Sequence, residues 1–146
     1  MERIKERIRF ASGLFVLCQG CSGGLALLWS REINLEIKSF GSQHINAVVT
    51  EESSNFKWRL TSFYGHPQTY MRQKSWDLLA YLKNQSQLPW FCYEDFNEIL
   101  SMEEKSGGAA RCQSQMDRFW GVVNLCGFKD QGYTRTDFTW LQYAVW

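Results

Sequence analysis

The sequence predicts a mixed α+β fold, because segments with the two-residue period of strands and segments with the period of helices both occur along its 146 residues. The length fits one domain over residues 1–146, and a hydrophobic content of 45% is ample for a core. The chain has 16 Lys and Arg against 15 Asp and Glu, a formal net charge of +1. That balance argues against a protein held to nucleic acid mainly by bulk charge.

The N-terminal segment imitates a secretory signal, since a basic stretch at residues 1–10 precedes an apolar run. Two glutamates in the basic stretch, and polar residues and glycines at 19–24, favour another interpretation. We expect a short amphipathic helix carrying Ile4 and Ile8, followed by two core strands, the second from Leu25 to Trp29. The apolar run is also far shorter than the ~20 residues that a membrane-spanning helix needs. No membrane partner is expected, and localisation is nuclear or cytoplasmic by default.

Alternation with a period of two extends from Gly24 to Tyr64. It is clearest at 33–38, 45–49 and 56–61, and a few polar or glycine residues separate these runs. The last run sets Phe56, Trp58 and Leu60 against Lys57, Arg59 and Thr61. This pattern predicts an antiparallel meander with one buried face.

Helical spacing follows in two places. Between Gln68 and Asn84, one apolar face is formed by Leu78, Leu79 and Leu82, with Trp76, Leu79 and Lys83 along one stripe. The second helix places its apolar residues at i, i+3, i+4 and i+7, namely Met116, Phe119, Trp120 and Val123. We expect it to end at Cys126-Gly127, where glycine supplies a left-handed cap.

The segments around these helices complete the predicted order. The continuous apolar run at 88–93 predicts a central strand buried on both faces, and the polar, glycine-containing stretch at 101–112 predicts a loop. Phe138 begins one more strand, close to the end of the chain at Trp146. Because such an aromatic strand needs a partner, the chain looks as if it ends early.

The five cysteines indicate no metal or redox site. Cys18 and Cys21 form a single CxxC pair, and no second pair or histidine cluster at matched spacing accompanies it. The odd count implies no disulfide framework, so a reducing compartment is the default.

The segment after the predicted strand at 88–93 is the most informative for chemistry. Asp95 and Asn97 project to the same side as long as the chain stays extended. An acid beside an amide suits a site that orients water and holds a phosphate oxygen or a metal. The alternative is a turn, which both residue types favour.

Two further segments carry candidate ligand-binding residues. Tyr64 closes a strand, where its hydroxyl could meet a phosphate or simply lie at the rim of the core, and His66 is either an acid-base group or an exposed turn residue. Ser22 and Gly23, before the strand at Leu25, suit either close approach to a ligand or a tight turn.

Five ordered blocks of this chain resemble the endonuclease domain of plant LINE-type (non-LTR) retrotransposons. They are CSGGLALLW, FKWRLTSFYGHP, LPWFCYEDFNEIL, the helix from Met116 to Cys126, and DFTW. That domain belongs to the endonuclease/exonuclease/phosphatase superfamily. The resemblance implies a DNase I-like fold: a sandwich of two packed β-sheets with helices outside, here truncated at both ends.

The resemblance also implies a Mg²⁺-dependent hydrolysis that nicks DNA. The GDFN motif of the family corresponds to residues 94–97, which makes Asp95 the water-orienting acid and Asn97 its amide partner. Tyr64 corresponds to a tyrosine that contacts phosphate, and Ser22, Gly23 and His66 are expected to lie near the substrate.

The departures from the family are equally specific. The Asn and the metal-binding Glu that open the family's site, and the Asp-His pair that closes it, have no counterparts here. Glu94 replaces the glycine of GDFN and adds negative charge beside the expected phosphate site. No metal ligand can be named, and we expect a fragment without catalysis, because residues that act as a unit fail together. The alternative is a non-catalytic module that binds nucleic acid or protein.

Overall fold

A computed structural model of the chain describes residues 12–17, 24–93 and 95–130. Their elements, in chain order, are β1 (Ser12–Val16), β2 (Leu25–Trp29), β3 (Asn34–Gly41), β4 (His44–Thr50), β5 (Lys57–Phe63), α1 (Arg72–Lys83), β6 (Trp90–Tyr93) and α2 (Gln113–Cys126). Short 3₁₀ turns occur at Thr69–Met71 and Met102–Glu104. The predicted α+β class is confirmed, whereas the expected helix around Ile4 and the strand from Phe138 lie outside the described residues. Neither α1 nor α2 is long and apolar enough to cross a bilayer.

The strands form two sheets. β1 and β2 make an antiparallel pair, and the larger sheet has the order β3-β4-β5-β6. The predicted meander is confirmed, since β3, β4 and β5 are successive antiparallel neighbours. β6 returns parallel to β5, with Arg59 beside Trp90 and Ser62 beside Tyr93. Because a parallel neighbour needs a long crossover, α1 occupies the connection between these two strands.

Two apolar clusters lie on the two sides of the larger sheet. On one side, Leu25 and Leu27 of β2 pack with Ile45 and Ala47 of β4 and join the two sheets. On the other side, the end of β5 packs against both helices in a cluster of Phe63, Trp76, Leu79, Phe119, Val122 and Cys126. The helices meet through stacked rings of Trp76 and Phe119, whose centroids are 4.7 Å apart.

The meander was predicted to have one buried face, and for β5 this is wrong. Arg59 and Thr61 are buried to 1% and 0% exposure, because α1 and α2 cover the side that the alternation marks as polar. The Arg59 guanidinium donates to Leu82 O at 2.5 Å and lies 3.7 Å from the centre of the Trp90 ring. Carbonyl and ring contacts thus replace water around part of this charge.

The expected burial of residues 88–93 on both faces is also wrong. Among the described residues, β5 is the one strand that pairs with β6, and Phe91 is 49% exposed. The apolar run therefore identified the strand but not how far its side chains are buried.

The helix predicted from Met116 onward is present, but its buried face is rotated slightly. Met116 and Phe119 are buried as predicted, whereas Trp120 is 57% exposed and Cys126 is buried in its stead. The predicted cap is confirmed: Gly127 has φ 70°, and Phe128 N donates to Val123 O.

Candidate functional site

Two loops leave the larger sheet at the same edge. Residues 64–67 follow β5, residues 95–97 follow β6, and these strands are parallel neighbours. Their carboxyl ends therefore lie side by side, so residues about 30 positions apart in sequence become adjacent. This topology brings together the segments that carry Tyr64, His66, Asp95 and Asn97.

Phe96 anchors the second loop in the core. Its ring lies 5.6 Å from that of Phe63 and 5.4 Å from that of Phe119, measured between ring centres. Burial of an aromatic ring among two others fixes the path of the backbone on either side of it. The neighbouring Asp95 is exposed to solvent, and Asn97 is half-buried.

The two loops are joined through Gly65. Gly65 N donates to Asp95 O at 2.8 Å, and the amide Nδ2 of Asn97 donates to Gly65 O at 2.8 Å. A Cβ atom at position 65 would lie 2.0 Å from Phe96 O, so only glycine permits this approach. We call this contact between residues 64–66 and 95–97 the loop junction.

The assumption that residues 95–97 are extended is wrong. Asp95 Oδ1 accepts a hydrogen bond from Asn97 N at 2.7 Å, and Asn97 adopts a left-handed backbone with φ 56°. Both features are typical of a turn stabilised by an Asp side chain, and asparagine tolerates this φ better than most residues. The turn alternative is therefore correct for the backbone, and whether Asp95 and Asn97 also meet a substrate stays a prediction.

Further contacts hold the first loop on its other side. Gln43 O accepts from Tyr64 N at 2.8 Å, and the Gln43 side-chain amide donates to Tyr64 O at 3.2 Å and to Ser75 Oγ at 3.0 Å. The Ser75 hydroxyl also accepts from His66 N at 2.9 Å. The β3–β4 turn and α1 thus fix this backbone, and a site built on it would be preorganised.

The side chains of the first loop have distinct surroundings. Tyr64 packs against the cluster between the sheets, as expected for an aromatic residue at the rim of a core. Partial burial and the nearby charge of Lys74 lower the pKa of His66, which favours a neutral imidazole at pH 7. Within the described residues, no hydrogen bond joins the Tyr64 hydroxyl to Asp95 or Asn97. The junction therefore aligns backbones and leaves these side chains separate.

Ser22 and Gly23, predicted to contact the substrate, lie outside the described residues, as do the CxxC pair and Glu94. Gly24, the next described residue, has φ 95°. Such a backbone favours glycine.

Sequence reasoning missed a buried ionic cluster next to Asn97. The side chain of Glu98 is completely buried and accepts from Arg72 Nη1 at 2.5 Å, and its other oxygen lies 3.3 Å from Arg111 Nε. Arg72 also donates to Pro67 O at 3.2 Å, which ties the cluster to the first loop. The available signal was Arg72 itself, since it lies one turn before Trp76 on the apolar stripe of α1.

The described residues do not fit a magnesium site by themselves. Within residues 12–17, 24–93 and 95–130, no group of three His, Cys, Asp or Glu side chains is close enough to hold a metal ion. The Glu98 carboxylate beside the junction is occupied by two guanidinium groups. Asp95 contributes an exposed carboxylate, which is fewer oxygen ligands than Mg²⁺ normally takes from a protein and its substrate.

Comparisons with known proteins assign no family. No protein-family model matches the chain, and no curated protein sequence matches it significantly.

Chemically, the loop junction carries the exposed carboxylate of Asp95, the Asn97 amide fixed on Gly65 O, and the imidazole of His66, whose pKa is lowered. A carboxylate accepts a proton from water or orients it, and amide and backbone N–H groups donate to anionic oxygens. Such a set is suited to binding and orienting a polar substrate.

Proposed function

We propose that this chain is part of a phosphodiester-cleaving endonuclease domain with a DNase I-like fold, and that Asp95, Asn97 and Tyr64 lie at its phosphate site. The observation that supports the proposal is the loop junction. It brings the two segments that carry these three residues to one edge of the sheet, through Gly65 and the Asn97 amide. Two sheets with α1 and α2 on one side are compatible with that fold.

In this proposal, each residue has one task. The Asp95 carboxylate orients water and accepts its proton, and Asn97 sets the position of that carboxylate through the turn. The Tyr64 hydroxyl donates to a phosphate oxygen. The family's Mg²⁺ would supply charge neutralisation, but the described residues do not complete a site for it. We therefore expect this chain alone to bind DNA weakly and to leave it uncut.

The position of Asp95 is tested by DNA binding without metal. A carboxylate about 6 Å from a phosphate repels it by about 0.7 kcal/mol in water, so Asp95→Asn should tighten binding of a short duplex about threefold at low salt. Asp77→Asn is the matched control, since Asp77 is an exposed residue of α1 and its loss changes the net charge equally. Fluorescence anisotropy measures both. Equal effects of the two substitutions, or no binding by the unmodified chain, would contradict the proposal.

Cleavage itself is tested by nicking of supercoiled plasmid with Mg²⁺. We expect the same background for the unmodified chain and for Asp95→Ala. Nicking that disappears in Asp95→Ala would instead show a working nuclease, and the expectation of an uncut substrate would be wrong.

A second candidate function is a non-catalytic module that binds nucleic acid or protein. It is favoured by an open apolar depression at the amino-terminal ends of β5 and β6, the ends opposite the loop junction. The depression is lined by Glu51, Phe56, Trp58, Pro89, Trp90 and Phe91. Phe56 and Phe91 are about half exposed, and bases or apolar side chains stack readily on such rings. If this function is correct, Phe91→Ser should weaken binding of single-stranded DNA in the anisotropy assay, while Asp95→Asn should leave it unchanged.

A further inference from the structure

The ionic cluster at Glu98 contains more positive than negative charge. One carboxylate lies between two guanidinium groups, those of Arg72 and Arg111. A buried carboxylate needs one cation for neutrality, because an unpaired buried charge is strongly unfavourable. One positive charge therefore remains beside Glu98, the residue that follows Asn97 in the sequence.

The two arginines are not equivalent partners of Glu98. The Arg72 side chain is 6% exposed, donates to the carboxylate at 2.5 Å and also binds Pro67 O. The Arg111 side chain is 31% exposed, and its Nε atom, 3.3 Å from the carboxylate, makes no hydrogen bond of acceptable geometry. Arg72 is thus the structural partner, and Arg111 carries the surplus charge.

The contact with Glu98 uses the Nε side of the Arg111 guanidinium and leaves its two terminal nitrogens for another ligand. Its Nε side faces Glu98, and among the described residues no acceptor is bound to its Nη1 and Nη2 groups. These two nitrogens form the fork that binds a phosphate through two parallel hydrogen bonds. The contact with Glu98 restrains the side chain, so less conformational entropy is lost when an anion binds.

We propose that Arg111 binds a backbone phosphate of DNA next to the phosphate at Asp95 and Asn97. This inference rests on the proposed function, and it assigns Arg111 as a substrate-binding residue that positions the strand. The loop before α2 thereby becomes part of the substrate surface, together with the two loops of the junction.

The test is the salt dependence of duplex DNA binding, measured by fluorescence anisotropy between about 0.05 and 0.2 M KCl. Arg111→Gln should reduce the slope of log K against log salt by about 0.9 and weaken binding roughly eightfold at 0.1 M salt. Arg31→Gln is the matched control. It removes the same charge from the turn before β3, at the opposite end of the sheet from the junction. Arg111→Lys should restore the slope and recover only part of the affinity.

The outcomes separate this inference from the function on which it rests. If the unmodified chain binds no DNA, both are overturned. If binding occurs and responds to Asp95→Asn, but Arg111→Gln changes the slope no more than Arg31→Gln, the role of Arg111 alone is overturned. Cooperative urea unfolding of Arg111→Gln with an unchanged midpoint would show that lost affinity is not lost structure.

Discussion

Replacement of Glu98 by glutamine should destabilise the protein far more than any exposed charge substitution. Glu98→Gln keeps the shape of the side chain but leaves the 6%-exposed Arg72 without an anion. Removal of one partner from a buried ion pair costs about 3–5 kcal/mol, because the remaining charge is neither paired nor hydrated. The amide oxygen can keep the hydrogen bond that Ile99 N donates to Glu98 Oε1 at 3.1 Å, but the amide NH₂ group then takes the place of Oε2, so Arg72 loses its hydrogen-bond acceptor together with its anion.

The control is another Glu in an ion pair of similar length. Glu36 lies 2.5 Å from Lys38, but these side chains are 69% and 43% exposed. Water screens such a pair, so Glu36→Gln should change the free energy of unfolding by about 0–1 kcal/mol. The difference between the two variants therefore measures burial rather than the mere presence of an ion pair.

Urea unfolding followed by far-UV circular dichroism gives both values, and thermal unfolding gives a second estimate. For a domain of this size, the Glu98 variant should melt roughly 6–20 °C lower. Two results would refute the reasoning: a loss below about 1 kcal/mol for Glu98→Gln, or equal losses in the two variants. Either would mean that water or another anion reaches Arg72.

Three further predictions concern the backbone, one histidine and two cysteines. Gly65→Ala places a Cβ atom 2.0 Å from a backbone oxygen and should lower the free energy of unfolding by about 1–3 kcal/mol. The control Gly121→Ala has open space inside α2 and should raise the free energy of unfolding by about 0.5–1 kcal/mol. Equal urea midpoints for the two variants would contradict the loop junction. Burial lowers the pKa of His44 below 6.5, so the unfolded chain binds this proton more readily. Stability should thus fall as the pH drops below 6.5, with a smaller fall in His44→Gln, and parallel pH profiles of the two proteins would disprove it. Hydrogen bonding to Ser114 lowers the pKa of the exposed Cys112 thiol, while burial raises the pKa of the Cys126 thiol to about 11. Iodoacetamide at pH 8 should therefore label Cys112 in the native protein and Cys126 only after unfolding. Peptide mass spectrometry identifies the labelled cysteines, and labelling of native Cys126 would contradict the prediction.

The strands and helices were predictable because each has a local cause. Alternation in the segment that became β3 reflects partial burial of every second residue, and Gly127 ends α2 because a left-handed cap favours glycine. These features depend on neighbours close in sequence, so the pattern alone contains them.

Features that depend on distant partners were not predictable. Arg59 has the position of an outer residue in the alternation of β5, yet it is buried because α1 and α2 pack over that face. Trp120 is exposed and Cys126 buried because the facing helix determines how α2 is rotated. A thiol behaves as a small apolar side chain in such a contact, which sequence periodicity does not weigh.

The candidate site likewise has features that the sequence predicts and features that depend on distant partners. Its residue types and spacing were available from the sequence, but the approach of Gly65 to Phe96 O depends on the parallel pairing of β5 with β6. That pairing also determines what the side chains of the turn do. The Asn97 amide holds Gly65 O, and one oxygen of Asp95 holds Asn97 N, so both residues are required by the fold.

Substitutions can nevertheless separate the structural role of Asp95 and Asn97 in the turn from a chemical role toward phosphate. Asparagine at position 95 still offers an oxygen to Asn97 N but lacks the charge, so the turn should persist while any interaction with phosphate changes. Aspartate at position 97 has no N–H to donate, and it would place a carboxylate oxygen against Gly65 O. The first substitution therefore examines the chemistry and the second the architecture. Because the exposed carboxylate of Asp95 is the group that the turn does not fully engage, a phosphate-directed role for this junction depends on Asp95 more than on Asn97.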